Sequence, residues 1–275
     1  MQGRITRIIS NLYTVSANGI DYFCRARGKL REKNITPLVG DICEFDAHNK
    51  YILEINKRKN ELLRPSIANV DFALVVTSMK KPDLSLTLLD KMLSIILINK
   101  VTPVICFTKL DLMTKKEKKE YKEIIYYYKK IGFKVINNKN MLKLRRIIKN
   151  KLIVLAGQTG AGKSTLLNKL NSKLNLDTNP ISESLGRGIH TTRHIELFEF
   201  ENCFIADTPG FSSIEFKNNS KDEIKNSFRE FNNYKCNFND CNHNKEKNCA
   251  VKEAVVQGKI LKSRYNNYIS FLGED

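Results

Sequence analysis

The chain has 275 residues, 41% of them apolar, so it is long enough for two or three domains that each bury a core. Lys and Arg outnumber Asp and Glu by 47 to 29, a net charge of +18 that favours a polyanionic partner such as RNA or, as the weaker alternative, an anionic membrane. The sequence has no apolar run of 18 residues and no apolar signal-peptide core, which excludes a membrane span and predicts a protein that is not exported. Its seven cysteines are an odd number, which argues against a disulfide framework and predicts a cytoplasmic protein.

Residues 1–65 alternate short β-type runs with turns, as in a small antiparallel barrel. The predicted strands are 3–9, 12–16, 20–25, 41–45 and 51–55, and Asn18-Gly19 predicts a hairpin turn. This segment holds 12 basic and 7 acidic residues. A five-stranded barrel with basic loops is typical of an OB-fold that binds nucleic acid, and a structural barrel with a solvated basic surface is the open alternative.

From residue 69 onward, apolar strands alternate with helices, which indicates an α/β domain. We predict strands at 70–77 and 104–107 and a helix at 86–99. The second strand runs into Thr108-Lys109-Leu110-Asp111. The Asp111 carboxylate can accept hydrogen bonds from N1–H and the 2-amino group of guanine, while the aliphatic stem of Lys109 lies along the base. Such a tetrapeptide is informative only together with a phosphate-binding loop.

Residues 115–151 hold 14 Lys and Arg against 3 Glu. Tyr121, Ile124, Ile125 and Tyr128 follow helical spacing, so this stretch predicts an amphipathic helix with a basic outer face. Two interpretations of that face remain open: a solvated surface and a nucleic-acid contact.

An apolar run at 151–156 is followed at once by a glycine-rich phosphate loop. The loop residues are Gly157, Gln158, Thr159, Gly160, Ala161, Gly162, Lys163, Ser164 and Thr165. Its backbone N–H groups would point at a di- or triphosphate, at the positive end of the next helix. Lys163 would reach the β- and γ-phosphates, and the Ser164 hydroxyl would bind Mg²⁺.

Two later segments complete the predicted nucleotide site. The polar stretch 184–193 contains His190 and the adjacent Thr191 and Thr192, one of which could complete the Mg²⁺ shell. A strand at 203–206 then runs into D-T-P-G, where Asp207 would hold Mg²⁺ through water and the Gly210 N–H would sense the γ-phosphate.

The residue after that motif is Phe211, which cannot orient the attacking water as the glutamine of many GTPases does. Intrinsic hydrolysis should therefore be slow. His190 is the candidate for positioning the water, with a merely solvated histidine as the alternative.

The order of the motifs is unusual. The guanine motif begins at residue 108 and precedes the phosphate loop at 157, whereas an ordinary GTPase has them in the reverse order. Strand neighbours rather than chain order build the site of an open sheet, so the sequence predicts a circularly permuted GTPase domain.

Near the C-terminus, Cys236, Cys241, His243 and Cys249 form C-x4-C-x-H-x5-C. Three thiolates and one imidazole predict a closed, structural Zn²⁺ site in a segment too polar to fold on its own core, framed by helices at 222–231 and 259–272. The other cysteines, Cys24, Cys43, Cys106 and Cys203, lie in apolar strands and are expected to be free thiols.

The permuted order resembles that of the RsgA (YjeQ) GTPases, and four further motifs carry the resemblance: R-G-K-L-R at 27–31, P-L-V-G-D at 37–41, R-P-S-I-A-N-V-D at 64–71 and G-R-G-x-H-T-T-R at 186–193. It implies a cytoplasmic GTPase that binds the small ribosomal subunit late in assembly and is stimulated by it. The resemblance also implies a catalytic role for His190. Three positions depart from the family pattern: Thr108 replaces Asn, Ile189 replaces Arg, and 136–138 replace a Ser-Ala guanine contact.

Together these patterns predict an OB-fold barrel at 1–65, a permuted P-loop GTPase domain at 66–213 and a helical zinc-binding domain at 214–275. The predicted activity is GTP hydrolysis with Mg²⁺ and one structural Zn²⁺. The predicted partners are the small ribosomal subunit and its rRNA, with no membrane contact and a monomeric state. A binding module, in which nucleotide is only a structural ligand, is the alternative, and the Lys163, Ser164 and Asp207 set favours the enzyme.

Overall fold

The computed structural model describes residues 1–28, 30, 35–63, 66–170, 196–200, 203–207, 216 and 219–273. The chain forms two compact units, each built from three segments. The first comprises Met1–Ala73, Met141–Leu155 and Leu167–Phe211, and the second comprises Leu74–Asn140, Ala156–Leu166 and Ser212–Asp275. The domain boundaries at 65 and 213 stay predictions.

The N-terminal strands form a closed barrel, as the sequence predicts. They are β1 (Gln2–Ile9), β2 (Leu12–Ala17), β3 (Ile20–Ala26), β4 (Ile42–Asp46) and β5 (Tyr51–Ile55). Their order is β1-β2-β3-β5-β4, and β4 pairs back onto β1. The chain crosses over between β3 and β5, which are a parallel pair. Asn18 and Gly19 both have positive φ, at 55° and 74°, which fits the predicted two-residue hairpin turn.

Two short strands follow the barrel: β6 (Glu61–Leu63) and β7 (Ser66–Ala68), which pair antiparallel. Three residues per strand are too few to produce a readable alternation, so the sequence analysis did not predict this hairpin.

A six-stranded sheet contains β8 (Phe72–Ser78), β9 (Thr102–Thr108), β10 (Lys134–Asn137), β11 (Leu152–Ala156), β12 (Leu197–Phe200) and β13 (Cys203–Asp207). Their order is β10-β9-β8-β11-β13-β12. β9 and β10 are parallel, as are β11 and β13, while β12 is antiparallel to β13. Every residue of β8 and of β11 is buried, the usual state of parallel strands covered on both faces.

Four helices accompany the sheet: α1 (Leu86–Ile98), α2 (Lys115–Lys130), α3 (Met141–Ile148) and α4 (Lys163–Leu170). Ser85 caps α1, and a Thr114–Glu117 capping box begins α2. The predicted amphipathic pattern of α2 is confirmed, because Tyr121, Tyr127 and Tyr128 are buried.

The C-terminal region is helical, with α5 (Lys221–Ser227), a 3-10 helix (Arg229–Asn233), α6 (Ala250–Val256) and α7 (Lys262–Phe271). The helix predicted at 222–231 thus breaks at Phe228, and the sequence analysis missed α6. The core contains Phe228, Phe231 and Phe271 around Tyr268. None of the seven cysteines forms a disulfide. Among the described residues no helix is both long and apolar enough to cross a membrane.

Candidate nucleotide site and metal centre

The phosphate loop links β11 to α4, which begins at Lys163. Gly157 has a φ of 145°, and a Cβ atom at this position would come within 2.2 Å of the Val76 carbonyl oxygen of β8. Glycine is therefore the residue that lets the loop pass this close to the neighbouring strand. Gly162 has a φ of 94°, which L side chains rarely adopt.

The ammonium group of Lys163 lies over the loop. Its Nζ donates to the carbonyl oxygens of Gly157 at 2.7 Å and Gln158 at 3.2 Å. Ala161 is fully buried at the base of the loop, whereas Thr159 and Gly160 are exposed at its tip. The loop is thus anchored on one side and open on the side from which a phosphate would approach.

The guanine motif is hydrogen-bonded to this loop. Thr108 is the last residue of β9, and its buried hydroxyl donates to the Ala161 carbonyl oxygen at 2.6 Å. The two residues are 53 positions apart in the chain. This hydrogen bond gives the Thr108 hydroxyl a defined role in holding the two motifs together.

Beyond Thr108, the chain turns sharply. Lys109 is in the left-handed region, with φ 56° and ψ 32°, and its Nζ donates to the Lys81 carbonyl oxygen. The following 3-10 turn buries Leu110, which is 8% exposed, and leaves Asp111 on the surface. The turn therefore presents the Asp111 carboxylate to solvent, where a base could reach it.

Asn138 is a residue of this site that the sequence analysis did not assign. β10 pairs with β9 up to Asn137 opposite Phe107, and the Asn138 N–H then donates to the Phe107 carbonyl oxygen at 3.1 Å. Asn138 thus lies beside the start of the guanine motif. Its side-chain Oδ1 is buried without a hydrogen-bond partner among the described residues, as are three other side-chain oxygens of the chain. The sequence analysis located the missing guanine contact at 136–138 but assigned no atom to it.

Several residues of the predicted site lie outside the described part of the chain. Asp207 ends β13, opposite Leu155 near the end of β11, but its side chain lies outside the described residues. His190, Thr191, Thr192 and Gly210 also lie outside the described residues. The predicted Mg²⁺ and water-positioning groups therefore stay predictions.

The predicted zinc ligands converge. The sulfurs of Cys236, Cys241 and Cys249 and a ring nitrogen of His243 lie within 4.8 Å of one another. The Cys249 sulfur is 3.7 Å from that of Cys236 and 3.8 Å from that of Cys241, and His243 Nδ1 is 3.4–3.5 Å from all three. Tetrahedral Zn²⁺, with bonds of about 2.3 Å to sulfur and about 2.0 Å to nitrogen, requires separations of about 3.8 Å and about 3.5 Å. The donor set fits this ion.

Neighbouring groups hold in place the loop that carries the predicted zinc ligands, which we call the ligand loop. The Tyr265 hydroxyl donates to the His243 carbonyl oxygen at 2.7 Å, and the Glu246 carboxylate accepts from the N–H groups of Asn242 and Asn244, each at 2.7 Å. The Phe231 ring and the His243 imidazole pack perpendicular to each other, with ring centres 5.5 Å apart.

Burial of the predicted zinc ligands also shifts their pKa values. Burial raises the pKa of the Cys241 thiol to about 12, raises that of Cys249, and lowers the pKa of His243. Burial acts against ionisation of Cys236 as well, but backbone N–H groups at the start of α6 outweigh it and lower the pKa of that thiol. The pocket thus favours a neutral imidazole, and metal binding would have to displace protons from the thiols.

The barrel carries an exposed cationic and aromatic surface. Arg25 and Arg27 are exposed, and the Arg27 guanidinium lies 5.9 Å from the centre of the Tyr51 ring. Phe23 is 58% exposed on the same strand as Arg25. Aromatic rings beside guanidinium groups are the surface that nucleic-acid-binding barrels offer to bases and phosphates.

Comparisons with known proteins cover the whole chain. The sequence matches the models of the RsgA N-terminal domain over residues 2–52 and of the RsgA GTPase over residues 55–217. It is 46% identical to the small ribosomal subunit biogenesis GTPase RsgA 2 of Listeria innocua, covering 100% of this chain and 97% of the relative. The corresponding protein of Oceanobacillus iheyensis is 44% identical, with 99% and 97% covered.

Two solved structures have the same fold. The circularly permuted GTPase YloQ superposes with a TM-score of 0.83 at 35% identity, covering 99% of this chain and 94% of that one. YjeQ from Thermotoga maritima has a TM-score of 0.84 at 32% identity, covering 100% and 99%.

Proposed function

The chain belongs to the RsgA GTPase family, and we propose that it hydrolyses GTP to GDP and phosphate in order to assist late maturation of the small ribosomal subunit. In this proposal the protein binds the subunit and its rRNA, and the subunit stimulates turnover. It acts in the cytoplasm, as a monomer and without membrane contact.

The observation that carries the proposal is the hydrogen bond from Thr108 to Ala161. It supports a single site in which the phosphate loop holds the phosphates and Asp111 selects guanine. Backbone N–H groups of 157–164 would bind the phosphate oxygens, and Lys163 would exchange its bonds to Gly157 and Gln158 for bonds to the β- and γ-phosphates.

Mg²⁺ would neutralise charge that develops on the phosphates, with Ser164, Thr192 and Asp207 as its proposed ligands. The Gly210 N–H would contact the γ-phosphate. His190 would orient the attacking water, because Phe211 cannot. A subunit that positions His190 against the attacking water would accelerate hydrolysis without changing the phosphate loop.

Zinc is proposed for Cys236, Cys241, His243 and Cys249 as a structural ion, because the four side chains leave no coordination position open. It would hold the ligand loop against α6 and α7, and the GTPase chemistry would take place elsewhere.

Phosphate release with and without purified small subunits tests the proposal. Stimulation by small subunits, and not by large ones, is the expected result; equal, slow release under all conditions would make the protein a nucleotide-dependent binding module instead. His190→Ala should retain the affinity for GTP and lose the stimulated rate. Undiminished stimulation in that variant would remove His190 from the mechanism.

A further inference from the structure

Helix α2 carries one aromatic side chain that the core does not explain. Of its four tyrosines, Tyr121, Tyr127 and Tyr128 are at most 8% exposed, whereas Tyr126 is 70% exposed. A ring that keeps most of its surface in water contributes little to the packing of the helix. Tyr126 is therefore a candidate for contacting a binding partner at the surface.

Five of the six charged neighbours of Tyr126 on the helix surface are lysines, and the sixth is Glu123. At 3.6 residues per turn, five lysine positions lie within about 60° of Tyr126 around the axis, and the buried Tyr121 and Tyr128 lie roughly on the opposite side. These exposed lysines are Lys115, Lys119, Lys122, Lys129 and Lys130. We call them, together with Tyr126, the α2 stripe; it extends for about 22 Å along the helix.

The lysines of the stripe keep their net positive charge within the described part of the chain. Among the described residues, none of its five lysines forms an ion pair. Glu117 is used elsewhere, since it caps α2 and pairs with Lys80 at 2.6 Å. Glu123 is exposed within the same 60° range and offsets one of the five positive charges, whereas Glu120 lies about 120° from Tyr126 around the axis. Helix α2 as a whole holds seven Lys against three Glu.

We propose that the α2 stripe binds an unpaired segment of RNA, with the lysines along the phosphates and one base stacked on Tyr126. A row of lysines along one side of a helix can contact successive phosphates of an RNA backbone. An exposed aromatic ring among these lysines offers a surface on which any base can stack. α2 contains no arginine, the side chain that reads phosphates and guanine bidentately. The stripe should therefore bind with little sequence preference.

This inference rests on the proposed function in one respect: the RNA in question is the rRNA of the small subunit. The stripe shares no residue with the nucleotide site or with the barrel surface. Its loss should weaken binding to RNA while the basal rate of GTP hydrolysis stays at the wild-type value.

The test uses the full-length protein and a labelled 12-nucleotide single-stranded RNA, with affinity measured at several salt concentrations. The triple variant Lys119→Gln, Lys122→Gln, Lys129→Gln should reduce the slope of log K against log salt by about 2, at about 0.7 per lost phosphate contact. The matched control changes Lys100, Lys134 and Lys149, three exposed lysines outside α2, to Gln and should keep the wild-type slope.

Two variants of Tyr126 distinguish the contribution of base stacking to RNA binding from that of charge. Tyr126→Ala should weaken binding about 5-fold or more, and Tyr126→Phe, which keeps the ring, should bind within about twofold of wild type. All altered side chains are exposed, so circular dichroism should show an unchanged fold.

The proposal is overturned if the triple variant and its control have the same slope and affinity, because the stripe is then a solvated face. It is also overturned if the triple variant loses affinity for polyglutamate while its affinity for RNA is unchanged, since the partner is then an acidic protein. Failure of subunit-stimulated hydrolysis in the wild type would count against the proposed function alone, since these measurements need no subunit.

Discussion

Replacing Arg264 by methionine should destabilise the protein by about 3–5 kcal/mol, the cost of breaking a buried ion pair by removing one partner. The Arg264 side chain is 1% exposed, and its guanidinium pairs with two carboxylates, those of Asp90 on α1 and Glu230 in the 3-10 helix. The Arg264–Asp90 bond is 2.6 Å long. The pKa of Arg264 is raised because the attraction of Asp90 and Glu230 outweighs burial, the largest single effect, which lowers it.

The magnitude follows from what remains after the substitution. Asp90 is fully buried and Glu230 is 3% exposed, so two buried carboxylates would lose their only cation among the described residues. Asp90 would keep the Tyr128 hydroxyl at 2.6 Å and the Asn267 amide at 2.7 Å, which is why the loss should stay near the range of a single broken pair.

Urea unfolding followed by tyrosine fluorescence and circular dichroism measures this loss, since the chain contains no tryptophan. Lys225→Met is the matched control: it breaks a pair with Asp222, which is 75% exposed, and should cost less than about 1 kcal/mol. A triple variant with Asp90→Asn, Glu230→Gln and Arg264→Met removes all three charges and should regain more than half of the loss. If Arg264→Met costs no more than Lys225→Met, the reasoning from buried charge is wrong.

Three further predictions concern the nucleotide and metal sites. Thr108→Val removes the hydroxyl that donates to the phosphate loop and should weaken GDP binding about 5- to 30-fold by calorimetry, whereas Thr108→Ser should bind like the wild type; equal affinity in the Val variant would contradict the role of this bond. Asp111→Asn should shift the preference from GTP to xanthosine triphosphate, and a variant that still selects GTP in competition binding would refute the guanine assignment. Zinc should be released as the pH falls from 7 towards 5 and retained as it rises from 7 to 9, because zinc binds only the deprotonated ligands and the raised pKa values of Cys241 and Cys249 strengthen the competition from protons. Burial lowers the pKa of His243, so protons compete less strongly for its imidazole than for the thiols. A zinc-sensitive dye reports the release, and release on alkalinisation instead would reverse the assignment of the ligands.

The sequence was sufficient for the features that depend on local pattern. Short β-type runs separated by turn signals predicted the five barrel strands to within two residues at their ends. The glycine-rich motif indicated the phosphate loop, and its glycines have positive φ in the structure. The spacing of Cys236, Cys241, His243 and Cys249 indicated the zinc cluster. In each case the information lies within about fifteen consecutive residues. Short elements such as β6 and α6 carried too little periodicity to be predicted.

The motif order also belongs to the sequence alone, since reading the guanine motif before the phosphate loop required no coordinates. What only the tertiary structure decided is which distant groups meet. Thr108 and Ala161 are 53 residues apart, and Asp90 and Arg264 are 174 residues apart. No local pattern encodes such pairs, because they arise from the packing of whole strands and helices. The unsatisfied amide oxygen of Asn138 and the exposed ring of Tyr126 likewise became visible only when burial could be assigned atom by atom.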